Sequence, residues 1–417
     1  MKAEIISIGD ELLIGQVINS NQAYIAEKLN SVGIFGDKMT TVGDDEGEIF
    51  SAFQKAYASH DVITVTGGLG PTHDDITRSV VCKFFQTDSI INEEALENVK
   101  RVFTRLKSVP RKINEDQALV PRGCVVIQNR LGTAPGYFFE RDKKYFIVMP
   151  GVPYEMKAMM DDFVLPFFMK QTTGLVIRHR TLKTTGIAES FLAEHIGDVH
   201  QLFSPDSGLT LAFLPSSLGV RLRITAKAKS ADEAEKKIQD VETKLRGKVE
   251  KFIYAAGEEE LESTVGSLLK DRRLRIALAE SCTGGLIANR ITDISGSSEY
   301  FERGIITYSN ESKIDELGVP SELIGRHGAV SREVAEAMAL GIRTVSGADI
   351  GISTTGIAGP TGGSQEKPVG LVWIGYSDND ETIALQFNFG GGRRIIKERA
   401  AQAALELLRR KILKIPG

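Results

Sequence analysis

Cysteine is scarce in this chain. Cys82, Cys124 and Cys282 are spread over 417 residues, too few and too scattered for a disulfide framework or a cysteine-based zinc site. That pattern points to a reducing compartment, and a cytoplasmic location is expected. Long apolar runs are missing as well. No segment approaches the ~18–20 apolar residues of a membrane span. The opening Met1-Lys2-Ala3-Glu4-Ile5-Ile6-Ser7 sets an acid inside an apolar run too short for a signal peptide. Nor does one sign of charge dominate: 51 Lys and Arg stand against 55 Asp and Glu, a net charge of −4. Interspersed charges of this kind argue against a nucleic-acid groove or a membrane surface. Histidine is short where a serine nucleophile would want a base, since the last third of the chain holds only His327, in a turn-like Gly-Arg-His-Gly setting.

What the chain does have is length for two or three domains, at roughly 100–200 residues each, and a repeated local grammar. Short buried-strand runs end in glycine with an acid or a hydroxyl, and a helical pattern follows at once. Residues 3–8 end in Gly9-Asp10-Glu11, and Asn19-Ser20 then cap a helix over 21–32. A helix over 46–59 leads into a strand at 61–66. That strand ends in Gly67-Gly68-Leu69-Gly70-Pro71-Thr72-His73-Asp74-Asp75. Strand–helix alternation of this kind predicts a parallel, doubly wound α/β domain, whose ligands sit at the carboxyl ends of strands. Gly67, Gly68 and Gly70 would let backbone amides approach a phosphate or pyrophosphate. Asp10, Glu11, Asp74 and Asp75 could hold a hard cation; equally, Asp74 or Asp75 could be a helix cap in a glycine-rich turn. Glu155, after Pro153, faces the same crevice or serves structure.

Residues 176–184, 188–199, 209–214, 220–228 and 231–245 read as a β-α-β-β-α connector. Arg221, Arg223, Lys227 and Lys229 alternate on one of its strands, weak ground for a nucleic-acid partner. The last third repeats the α/β grammar around Ile276-Ala277-Leu278-Ala279-Glu280-Ser281-Cys282-Thr283-Gly284-Gly285. Ser281 falls where a buried strand stops and a helix begins, so the amides of Cys282, Thr283 and Gly284 could serve an oxyanion or a phosphate. An ordinary N-cap serine with packing glycines is the equal alternative. A serine nucleophile needs a base. Without a suitable histidine, a lysine of lowered pKa is the substitute. Lys313 follows the next strand end, with Tyr308 able to relay or orient a proton. Thr355 and Gly356 offer donors from a third strand end, and Arg393 and Arg394 could clamp a phosphate. Cys282 is a rival nucleophile, expected to face the core. The fold expected is α/β: two doubly wound α/β/α domains, 1–170 and 257–417, joined by a small two-layer α+β connector over 171–256.

Several of these stretches resemble one family. Ser7-Ile8-Gly9-Asp10-Glu11-Leu12-Leu13, the loop 67–75 and Pro150-Gly151-Val152-Pro153 with Glu155-Met156 resemble the molybdopterin-binding-like domain of the competence/damage-inducible CinA family. Glu280-Ser281-Cys282-Thr283-Gly284-Gly285, Tyr308-Ser309-Asn310, Lys313 and Thr354-Thr355-Gly356-Ile357-Ala358-Gly359-Pro360 resemble its C-terminal amidohydrolase domain. Gly186-Ile187-Ala188-Glu189-Ser190 matches in the connector. The resemblance implies two hydrolytic sites. The C-terminal one would deamidate nicotinamide mononucleotide to nicotinate mononucleotide and ammonia without a cofactor, through Ser281, Lys313, Tyr308 and Thr355. Thr283, Gly284, Gly285, Gly356 and Arg393 or Arg394 would bind substrate. The N-terminal one would split ADP-ribose into AMP and ribose 5-phosphate with a divalent cation and potassium. Gly67, Gly68, Gly70, Thr72 and Asp75 would hold the substrate there, and Asp10 and Asp74 the metal. A homodimer is implied, with neither membrane nor nucleic acid as partner. Where the family shows Gly-Asp-Arg before its final helix this chain has Gly391-Gly392-Arg393, and Lys397 stands where an arginine is common. Two other classes of reading remain: an N-terminal module that binds nucleotide or pterin without turnover, and a competence-linked accessory protein.

Overall fold

Apolar runs cut short by glycine or acid, each followed by a capped helix, set the architecture of the first unit. The structure is a computed structural model and describes residues 1–72, 75–105, 107–109, 111–171 and 176–416. Strand β1 (Lys2–Ile8) is buried from Ala3 onward. The helix Ser20–Ser31 follows, its first turn capped by Asn19, whose side chain accepts the Gln22 amide at 3.2 Å. Strand β2 (Phe35–Val42), the helix Glu46–Ser59 capped by Asp45, and the fully buried β3 (Val62–Thr66) complete the first half of the sheet. Strands β4 (Ser89–Ile91) and β5 (Leu119–Pro121) form a separate antiparallel pair. Strands β6 (Val125–Ile127), β7 (Gly136–Arg141) and β8 (Lys144–Met149) rejoin the main sheet.

The sheet order is β2-β1-β3-β8-β7-β6, parallel through β8 and antiparallel beyond. Side chains alternate across it: Ile5, Leu29, Ile147 and Phe168 meet on one face, and Ile6, Phe53, Val65 and Phe146 on the other. With both faces buried under helices, the parallel strands are near-continuously apolar.

By packing, the chain divides into two compact units, 1–178 with 227–235 and 179–226 with 236–417. Most of the connector thus packs with the C-terminal part. Its strands are β9 (Val176–Thr184), β10 (Leu209–Ser216), β11 (Gly219–Ala228) and β12 (Ile253–Ala256), in the order β10-β11-β9-β12. The closing strand β12 is one more than the β-α-β-β-α pattern anticipated. The C-terminal sheet contains β13 (Ile276–Glu280), β14 (Phe301–Ile306), β15 (Ile350–Gly356), β16 (Leu371–Ser377) and β17 (Thr382–Asn388), ordered β14-β13-β15-β16-β17. Strand β13 is central, flanked in parallel by β14 and β15; β16 and β17 return antiparallel. The closing helix Arg393–Leu413 packs on one face, and near its end the buried Arg409 pairs with Glu406 and donates to the Lys251 carbonyl at 2.7 Å. Among the described residues no helix is long and apolar enough to cross a membrane.

Candidate active site

The alternation of β13 decides where its last side chains go. Ile276 and Leu278 point into the cluster under the closing helix, with Cys282 beyond them. Ala277 and Ala279 point the other way, toward Leu317, Val334 and Met338. Ser281 continues that second face. The Ser281 amide donates to the Thr354 carbonyl at 3.0 Å, so the residue leaves the sheet still anchored to β15.

On the same side lies the helix Asn310–Leu317. Ser309 starts it by accepting the Ser312 amide at 3.0 Å, and Ser312 accepts the Ser309 amide in return at 3.2 Å. This brings Lys313, only 1% exposed, under Ser281. Lys313 Nζ lies 3.2 Å from Ser281 Oγ, 2.8 Å from the Thr307 carbonyl oxygen and 3.3 Å from that of Ser309. Burial pushes the lysine pKa below its ordinary value. A neutral amine has two N–H groups and one lone pair. Once the amine is deprotonated, the two carbonyls can take its N–H groups, and the lone pair is then directed to the Ser281 hydroxyl.

Ser281 and Lys313 open onto a cavity of about 210 Å³ lined also by Cys282, Tyr308, Asn310, Ala329, Val330, Thr355, Gly356, Ala358 and Arg393. Thr355 Oγ1 donates to the Ala329 carbonyl at 2.7 Å, so its proton is committed and the hydroxyl faces the cavity as an acceptor. Tyr308 is 62% exposed, and its hydroxyl accepts from Arg393 Nη2 at 2.8 Å. Its hydrogen-bond partner is therefore the arginine. Arg393 Nη1 donates to the Gly359 carbonyl at 2.8 Å.

Several expectations are corrected here. Cys282 does join the apolar cluster, yet it also borders the cavity; burial pushes its thiol up to about 12, which leaves it protonated at neutral pH. Thr283, Gly284 and Gly285 are not in the lining. Thr283 is fully buried with its hydroxyl 2.7 Å from that of Thr354, and the Gly284 amide is spent on the Ser281 carbonyl at 3.1 Å. Arg394 points away, paired with Glu398 on the surface. One turn on from Arg393, Lys397 is the cation that faces the loop: a Cβ added to Gly284 would lie 3.5 Å from its Nζ. Asn310, Ala329 and Val330 were not anticipated. Asn310 was within reach, being part of Tyr308-Ser309-Asn310; the other two come from a loop that only tertiary packing brings in.

The N-terminal loop is built differently from its expectation. Gly67 and Gly68 have φ of +108° and +64°. Side chains there would collide with the Ile8 carbonyl and with Thr77. Thr77 closes the loop, its hydroxyl donating to the Gly67 carbonyl at 2.9 Å and its amide to that of Gly68 at 3.1 Å. Thr72 and Asp75 satisfy each other: the Asp75 carboxylate accepts from the Thr72 amide at 2.9 Å and from its hydroxyl. Gly70 packs against Asp75. Asp10 and Asp44 exchange backbone-to-carboxylate bonds at 3.1 and 3.2 Å. Glu155 is buried and accepts from Asn129 at 2.6 Å, a structural contact. Asp74 and His73 lie outside the described residues. Among the described residues no three acidic, histidine or cysteine side chains gather as metal ligands. Asp10 Oδ1 accepts the Asp44 amide, and Asp74, the other residue expected to hold the metal, is one of those outside the described residues.

Parallel α/β sheets carrying side-chain chemistry at their strand ends define a broad class of nucleotide and cofactor enzymes and binding proteins. Residues 4–170 match a probable molybdopterin binding domain, 179–255 the damage-inducible protein CinA KH domain, and 258–412 the CinA C-terminal domain. A CinA-like protein of Chloroherpeton thalassium is 47% identical over 98% of this chain and 99% of its own length. A putative competence-damage inducible protein of Caldicellulosiruptor saccharolyticus is 42% identical over 99% and 100%. The crystal structure of competence/damage inducible protein CihA from Agrobacterium tumefaciens is 42% identical, covering 36% of this chain and 92% of that one, with a TM-score of 0.35. The chain belongs to the CinA family.

Proposed function

We propose that the C-terminal domain is a serine amidohydrolase that deamidates nicotinamide mononucleotide. The observation that carries this is the buried Lys313 amine, held by two carbonyls with its remaining valence on Ser281 Oγ. Lys313 takes the hydroxyl proton as Ser281 Oγ bonds to the carboxamide carbon. The same proton passes to the amide nitrogen, which leaves as ammonia. Water then adds to the acyl-serine, Lys313 again removing a proton, and the carboxylate product departs with Ser281 restored. The amide of Cys282, which borders the cavity and donates to no backbone oxygen among the described residues, is the donor available to the oxyanion. The acceptor face of Thr355 suits the amide NH₂ of a carboxamide and disfavours the acid product. Arg393, with Lys397 one turn along, offers positive charge to the substrate's phosphate. The test is direct. Purified protein is incubated with nicotinamide mononucleotide, and ammonia and nicotinate mononucleotide are measured chromatographically. Wild type forms both in equal amounts and Ser281→Ala forms neither; an active Ser281→Ala would end the reading.

The N-terminal domain is read as an ADP-ribose pyrophosphatase on the strength of its sheet, its positive-φ glycine loop at the end of β3 and its family. Product analysis with ADP-ribose, with and without a divalent cation and potassium, separates turnover from binding alone. A cytoplasmic homodimer belongs to the same reading, and sedimentation of the full chain checks the stoichiometry.

A further inference from the structure

The residue before the nucleophile has an assignment of its own. Glu280 ends β13 and is 2% exposed. No cation pairs with it among the described residues. Its Oε1 accepts the Ala288 amide at 2.8 Å and its Oε2 the Ile287 amide at 3.2 Å. These are first-turn donors of the helix Leu286–Thr292, which starts on Gly285 (φ +89°), a residue with no side chain to cap it. The cap is therefore supplied from seven and eight residues upstream, across the loop that carries Ser281. The other end of that loop is fixed in the sheet, where the Glu280 carbonyl accepts the Thr307 amide at 2.9 Å and the Ser281 amide bonds Thr354.

We infer that Glu280 is a positioning residue: its buried carboxylate clamps the 281–286 loop, sets Ser281 Oγ on Lys313, and fills the helix start so that no substrate anion binds there. This rests on the amidohydrolase reading for its kinetic consequence, although the clamp itself does not. The negative charge complements the positive end of the helix, and both carboxylate oxygens are used. A carboxamide of the same shape can accept from only one of the two amides and would turn its NH₂ against the other. The loop would then relax at its helical end, and displacement of a nucleophile by about 1 Å typically costs ~100-fold in rate.

The experiment compares wild type, Glu280→Gln and Glu280→Asp as full chains. For E280Q, kcat for ammonia release falls on the order of 100-fold while KM stays within about twofold. The rising limb of its pH profile is unshifted, because Thr307 and Ser309, not the loop, hold Lys313. Amide hydrogen exchange rises in the peptide covering 281–292 and nowhere else. E280D keeps the charge but is one methylene short, and falls between the two; it serves the same comparison should E280Q fail to fold. Wild-type kcat, a KM effect without a kcat effect, or unchanged exchange in 281–292 would each overturn the assignment. Should wild type release no ammonia from nicotinamide mononucleotide, the amidohydrolase reading fails separately. Hydrogen exchange, together with the rate of Ser281 acylation by p-nitrophenyl acetate (Ser281→Ala as blank), then still decides the clamp.

Discussion

Replacing Lys313 by methionine removes the buried amine and leaves an unbranched side chain of similar shape, one atom shorter. The Thr307 and Ser309 carbonyls lose their donor at 2.8 and 3.3 Å. An unsatisfied buried group costs about 1–3 kcal/mol, partly offset because the amine itself resists burial when charged. The loss of a general base is worth ~10²–10⁴ in rate, so K313M should fall by at least two orders of magnitude in kcat/KM while remaining folded. The pH dependence is the sharper readout. Burial lowers the folded-state lysine pKa below the unfolded value of about 10.4. Between those two pH values the unfolded chain carries a proton that the folded chain lacks, so unfolding free energy rises with pH across that window. Below the folded pKa both states are protonated, and the burial penalty is fully felt. In wild type, kcat/KM therefore climbs with pH through the lowered lysine pKa, and stability climbs over the same window. K313M should lose both slopes. Steady-state ammonia release and urea unfolding, each from pH 6 to 10, measure them. K313M activity above a tenth of wild type, or the same rising limb without the lysine, would refute the reasoning.

Cys282→Ala should retain deamidase activity within about threefold and lose roughly 1 kcal/mol of stability, since the thiol packs in the core and stays protonated; inactivation by iodoacetamide that tracks this residue would contradict it. Arg393→Met should raise KM for nicotinamide mononucleotide ~10–100-fold, the worth of a charge-assisted hydrogen bond of about 1.5–3 kcal/mol, whereas Arg394→Ala, at a side chain 93% exposed, should change KM less than twofold. Gly68→Ala forces a side chain into a φ of +64° against Thr77. It should cost about 1–3 kcal/mol, visible as a lowered midpoint in thermal unfolding.

What could be read from the residues follows from how each element is buried. Strand β3 and the helix Glu46–Ser59 announce themselves, the first as five buried residues in a row, the second by its Asp45 cap. Strand β2 does not. It is the edge of its sheet, pairs only with β1, and its Phe35-Gly36-Asp37-Lys38 stretch is exposed or half-exposed, so no apolar periodicity marks it. The choice of arginine was likewise open only while its secondary structure was. The closing helix begins at Arg393 on a Gly392 cap, two residues before the apolar pattern suggests. Consecutive helical residues point about 100° apart, so Arg393 and Arg394 cannot face one ligand, while residues four apart can. That geometry selects Lys397 as the partner of Arg393. The loop holding Ala329 and Val330 had no signature, because its place in the cavity wall is set by Thr355 and the Ser331 cap rather than by its own sequence.

The period of a strand carries further than the strand itself. Ile276, Leu278, Glu280 and Cys282 fall on one side of β13 and its continuation, Ala277, Ala279 and Ser281 on the other. On the first side are the closing helix and the helix Leu286–Thr292, an apolar layer in which a carboxylate survives only by accepting two amides and a thiol only by keeping its proton. On the second side the helix Asn310–Leu317 brings an amine to the one hydroxyl that points its way. Three neighbouring side chains, each with some claim to reactivity, are thus sorted by a two-residue repeat into the proposed clamp, the proposed nucleophile and a thiol of the core cluster. Which of the three reacts depends on which face of the sheet the lysine approaches. The alternation of Ile276-Ala277-Leu278-Ala279 already separates the serine from both its neighbours before any distance is measured.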